Sequence, residues 1–128
     1  MNDVQLTRNF KLSEFQCKCN PFCGFDKISP LVVTLCQELR DFISIALRVN
    51  SGCRCDVRNR LAGSSSTNHT RGYAADLSCA QGHIWLWNQA KRLWEQGGLK
   101  VVDLVLLESS WVHIDVNGKR PSGVFQKL

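Results

Sequence analysis

The sequence predicts an α+β fold, a mostly antiparallel sheet with helices packed on one face. Three observations carry this expectation. Leu31, Leu35, Leu39 and Phe42 recur at helical spacing behind Ser29-Pro30. A second amphipathic run covers residues 81–96. The last two apolar runs, 100–108 and 111–116, are separated only by Ser109-Ser110, and so short a connection joins strands only as an antiparallel hairpin. That hairpin distinguishes the chain from an alternating, all-parallel α/β protein.

Taken in order, residues 1–28 read as a short cysteine-bearing arm with turns. Ser29 is a good N-cap and Pro30 suits the first helical position. The helix they open should run to about residue 45, with Val32, Cys36, Ile43 and Ala46 widening its apolar stripe. Residues 47–50 form a short strand ending at Ser51-Gly52, and 53–60 a loop or short helical turn. Gly63-Ser64-Ser65-Ser66 is a flexible connection into a turn around His69, and residues 73–79 are a strand. In the second helix Ile84, Trp87, Ala90 and Trp94 share a face with Leu86 and Leu93 close by, and Gly97-Gly98 stops it. After the hairpin, a turn-rich tail ends in Val124-Phe125.

Length and composition set the bounds. A chain of 128 residues builds one core but not two, so a single domain over 1–128 is expected, as a monomer. The net charge of +5 favours anionic partners. Without a long Lys/Arg run or aromatics interleaved with basic residues, nucleic acid is disfavoured. The apolar runs fall well short of the ~20 residues of a membrane span. Residues 1–8 carry no apolar core of a secretory signal, so synthesis in the cytoplasm without a signal peptide is expected.

The chemistry concentrates on His69, Asp76 and His113. Asp76 interrupts the apolar string Tyr73-Ala74-Ala75-Asp76-Leu77, and a carboxylate there is costly unless a cation or several donors meet it. Histidine and aspartate are good zinc ligands, and a catalytic zinc has three protein ligands and an open position. Strand alternation sends Val112, Ile114 and Val116 to the core and Trp111, His113 and Asp115 to the other face. If Ser109-Ser110 is a two-residue turn, Leu106 pairs with His113 and Glu108 with Trp111. Glu108 then shares the face of His113, one diagonal step away. Zinc on His69, Asp76 and His113 would acidify its water toward pKa ~7, with Glu108 as general base and Arg54 holding an oxyanion or a substrate carboxylate. Bland readings stand beside these. Asp76 could form a structural ion pair with Arg71 or Arg54, Glu108 could be a solvated turn residue, and His83 reads as structural.

Several blocks resemble one known family. Val49-Asn50-Ser51-Gly52-Cys53-Arg54-Cys55, Asn59, Thr67-Asn68-His69, Gly72, Ala74-Ala75-Asp76 and Trp111-Val112-His113-Ile114-Asp115 are similar to the zinc D-alanyl-D-alanine carboxypeptidases and L-alanyl-D-glutamate endopeptidases, which include phage endolysins. The similarity runs from about residue 10 to 116. It implies a small Hedgehog/DD-peptidase-like domain, Zn2+ on His69, Asp76 and His113, a transition-state arginine at Arg54, and substrate contacts from Arg54, Thr67 and Trp111. Thr67 stands where the family usually has serine. Many members place the catalytic acid three residues before the last histidine, where this chain has Ser110. Others resemble it in carrying a glutamate five residues before, which is Glu108, and Asp115 is the fallback. The implied substrates are peptidoglycan stem peptides, reached at the cell wall after release. The resemblance does not choose between removal of a terminal D-Ala and cleavage of the L-Ala-D-Glu bond. The alternative is a Hedgehog-like, zinc-containing binding module without peptidase activity.

Seven cysteines are many for a reducing compartment, and an odd number cannot all pair internally. Cys17, Cys19 and Cys23 could hold a structural zinc with Cys36 or Cys55, could tie the arm to the loop beside Arg54 through a disulfide, or could stay reduced. Cys36 and Cys79 read as core residues. A Cys53–His69 protease pair would leave Asp76 and His113 unexplained.

Overall fold

The computed structural model describes residues 3–18, 27–61, 68–117 and 123–128. Among these residues three α-helices, α1 (Pro30–Ile43), α2 (Asp56–Leu61) and α3 (His83–Glu95), accompany five strands: β1 (Arg48–Ser51), β2 (Ala74–Ser78), β3 (Leu104–Leu107), β4 (Val112–Asp115) and β5 (Phe125–Lys127). The sheet order is β1-β2-β4-β3-β5. The β1–β2, β2–β4 and β4–β3 pairings are antiparallel and only β3–β5 is parallel. The expected α+β class with a mostly antiparallel sheet is the one observed. Among the described residues no helix is long and apolar enough to cross a membrane.

Helix α1 begins as its sequence requires, with the Leu31 amide donating to the Ser29 hydroxyl at 3.2 Å and Pro30 in the first turn. It ends at Ile43 because Ser44 adopts a left-handed φ of 59°. Its buried face is Val32, Val33, Leu35, Cys36, Leu39 and Ile43, whereas Leu31 is exposed. In α3 the buried residues are Leu86, Trp87 and Ala90. The expected face is thus rotated, since Ile84 is exposed and Trp94 is partly so, packing against Phe125 instead. Cys36 is fully buried as expected, but Cys79 sits at the core's margin.

Strand alternation divides the sheet cleanly. Ala75, Leu77, Val105, Val112 and Ile114 join the residues of α1 and α3 in one apolar core. The opposite face therefore carries Ala74, Asp76, His113 and Asp115. The β3–β4 register pairs Leu106 with His113, and the Glu108 amide donates to the Trp111 carbonyl at 3.0 Å. Ser109-Ser110 is thus the two-residue turn the sequence suggested. Strand β3 starts only at Leu104, because Leu99 takes a φ of 52° and the chain turns before it.

The arm is more integral than turn-rich composition implies. Phe10 and Phe15 are fully enclosed, and the Cys53 amide donates to the Phe15 carbonyl at 2.7 Å. Glycine is required at position 52, where a Cβ would lie 2.8 Å from the Phe15 backbone. Gly72, at φ +75°, faces the Lys27 carbonyl 2.5 Å from where a Cβ would be, and its own carbonyl accepts from the Ser29 amide. That bond fixes the turn after His69 to the start of α1.

Candidate metal centre

Asp76 and His113 are direct partners across β2 and β4, so adjacency of two internal strands places them side by side. His69 arrives from the turn preceding β2, which the Gly72 contact anchors. One potential ligand atom from each of His69, Asp76 and His113 lies within 4.8 Å of the other two. His69 Nε2 is 3.3 Å and His113 Nδ1 is 3.0 Å from the same oxygen, Asp76 Oδ1. The two rings meet edge to face, with centroids 5.3 Å apart.

Each imidazole is held by its other nitrogen. His69 Nδ1 lies 2.6 Å from the Gly52 carbonyl oxygen. A carbonyl can only accept, so Nδ1 carries the proton and Nε2 is the nitrogen facing Asp76. His113 Nε2 lies 3.0 Å from Asp115 Oδ2, which leaves Nδ1 toward the cluster. Outer acceptors of this kind orient and polarise metal-binding histidines. Asp115 is fully buried and also accepts from the Asn68 side-chain amide at 3.1 Å. Asn68 in turn accepts from the Asn117 side chain. The donor set is two imidazole nitrogens and one carboxylate oxygen, with no thiol among them, and it fits zinc.

Arg54 completes the arrangement. Its Nη2 donates to Asp76 Oδ2 at 2.8 Å, its Nε to Ser51 Oγ at 3.0 Å and its Nη1 to Asn59 Oδ1 at 3.3 Å. The ion pair with Asp76 left open by the sequence is therefore formed by Arg54. It also places the guanidinium beside the would-be ligands. Glu108 is half-buried at the end of the β3–β4 hairpin on the face of His113, and Trp111 is half-buried across from it. His83 opens α3, apart from the cluster. Thr67, Cys19 and Cys23 lie outside the described residues. The sequence blocks include Ser51, Asn59 and Asn68 but assign them no role, and nothing in the sequence marks the Gly52 carbonyl or Asn117. The adjacency of Asn68 to His69 was the one available signal.

Charge balance follows from these contacts. Burial pushes the Asp76 carboxyl up, but hydrogen bonds from His113 and His69, and their charges, hold it well below the usual carboxylate range. Burial disfavours a charged His113, yet hydrogen bonds to Asp115 and Asp76 and both negative charges raise its pKa to about 9. Between two carboxylates both ring nitrogens must donate, and a cation at Nδ1 would displace one of those protons. In chelator-treated protein the raised His113 value contributes stability that is complete below its ordinary pKa of 6.5 and lost as pH rises through about 9. The depressed Asp76 value contributes above its ordinary 3.8 and is lost in acid. Melting temperature with chelator present should therefore fall between pH 6.5 and 9, and a flat profile there would contradict the His113 pairing. Asp115→Asn should weaken zinc binding by roughly 10–100-fold, as read by competition with a chromophoric chelator. Unchanged affinity would mean that Asp115 does not orient His113.

Fold and centre together describe a small α+β domain in which two imidazoles and one carboxylate, on the sheet face opposite the apolar core, could hold a metal ion. Comparison with known families matches residues 8–115 to Peptidase M15. The match covers most of the chain, which belongs to this family of zinc-dependent metallopeptidases. A search of curated proteins finds no match.

Proposed function

We propose that the chain is a zinc metallopeptidase that hydrolyses peptidoglycan stem peptides, acting on the cell wall after release. The observation that carries this reading is the convergence of His69, Asp76 and His113 around one point in an M15 chain. What bound zinc supplies is Lewis acidity, toward the scissile carbonyl and toward water. Glu108, on the same face as His113, takes the proton of the attacking water and returns it to the leaving amine. Among the described residues Arg54 uses three of the five N–H donors of a guanidinium. Those remaining receive the developing oxyanion or a stem-peptide carboxylate. Asp76 anchors Arg54 so that this charge is already oriented before substrate arrives. Trp111 and Thr67 contribute substrate contacts.

Digestion of purified peptidoglycan followed by mass spectrometry of the stem peptides tests this directly. The expected result is fragment release that stops with chelator and returns with zinc. The fragment masses also separate loss of a terminal D-Ala from cleavage of the L-Ala-D-Glu bond. Protein carrying one zinc per chain and releasing nothing would favour the Hedgehog-like binding module instead.

A further inference from the structure

Beside the loop that carries Arg54, two thiols lie in contact. Cys17 Sγ is 3.7 Å from Cys55 Sγ, although the residues are 38 positions apart in the chain. Their meeting is imposed by the fold. Phe15 is fully buried, Cys17 is 2% exposed, and the Cys53 amide donates to the Phe15 carbonyl. The absence of a side chain at Gly52 lets the two backbones touch. Cys17 lies two residues beyond Phe15, and Cys55 lies two residues beyond Cys53. Both thiols thus leave one clamped backbone bridge in register. A disulfide needs a sulfur separation of about 2.05 Å, so closure requires a movement of less than about 2 Å at the sulfurs.

We propose that Cys17 and Cys55 are a redox modification site that closes to a disulfide on meeting a low-molecular-weight disulfide such as oxidised glutathione. Cys55 is half-exposed and Cys17 buried, which sets the order of events. The Cys55 thiolate attacks one sulfur of the oxidant, forming a mixed disulfide and releasing the other sulfur as a thiolate. Cys17 then attacks Cys55 Sγ and expels the second thiolate. Two protein thiols are oxidised, one oxidant disulfide is reduced, and the two released thiolates take up the two protons. The product ties the arm to the loop presenting Arg54, whether or not the protein is a peptidase. By restricting the unfolded chain it raises the melting temperature by about 10 °C.

Peptide mapping of the full chain tests the assignment. Trypsin cuts after Lys18 and after Arg54, so the fragments separate Cys17 from Cys19 and Cys55 from Cys53. Reduced protein is equilibrated with excess oxidised glutathione, denatured, alkylated and digested without reductant. The expected product joins residues 12–18 to residues 55–58, and the oxidised protein melts about 10 °C higher than the reduced. Cys55→Ser removes both effects. Recovery of either cysteine alkylated, glutathionylated or joined to a different cysteine would overturn the proposal. Resistance of the pair to oxidation that disappears on chelation would also overturn it, by identifying the thiols as metal ligands.

Discussion

Asp76→Ala should empty the centre of metal, reduce stem-peptide hydrolysis to the level of a protein-free control, and weaken the fold. One oxygen of Asp76 faces both imidazoles while the other accepts from Arg54. With the carboxylate gone, the Arg54 guanidinium, 12% exposed, would share a buried site with a His113 that prefers to be charged. Losing one partner of a buried ion pair costs about 3–5 kcal/mol. Metal analysis after dialysis reads the first effect and a denaturation curve the second. Asp76→Asn keeps the shape without the charge and should lose the metal equally. A variant that retained one zinc per chain and full hydrolysis would remove the proposed centre from consideration.

Glu108→Gln should lower kcat by roughly 10²–10⁴-fold, the usual contribution of a positioned general base, with metal content and melting temperature unchanged. The alternatives at this end of the sheet are poorly placed. Ser110, where many relatives would carry the acid, is exposed in the hairpin turn itself. Asp115 is wholly enclosed behind His113 and accepts from it. Glu108 sits where the hairpin closes, on the face of His113. The glutamine is nearly isosteric, so a merely structural role would appear in KM or in melting and leave kcat alone. Unaltered kcat would transfer the proton step to another group.

Much of this arrangement was legible before the structure. Asp76 declared itself as a charge within an apolar string, and the alternation of residues 111–116 separated His113 from the core. The hairpin register followed from its two-residue connection. What escaped prediction lacked a local signal. Strand β5 is three residues long and pairs in parallel with β3, a partner its own sequence cannot indicate. Phe10 and Phe15 are isolated aromatics without a period, yet they anchor the arm. Helical spacing put Ile84, Trp87, Ala90 and Trp94 on the inner face of α3, but the fold buries Trp87 and Ala90 together with Leu86 and leaves Ile84 and Trp94 exposed. The Gly52 carbonyl that orients His69 is backbone and leaves no trace in residue identity. For Arg54 the sequence offered both an ion pair and a substrate role. The observed pair with Asp76 shows why one residue can serve both.

The seating of Asp76 and His113 on neighbouring inner strands, flanked by β1 on one side and β3 on the other, ties the spacing of this pair to the sheet itself. No hinge divides these two side chains, so thermal breathing at the periphery leaves their separation untouched. Variation in what the protein cuts would accordingly accumulate in the surrounding loops, around Arg54 and Trp111, while the inner pair stays fixed.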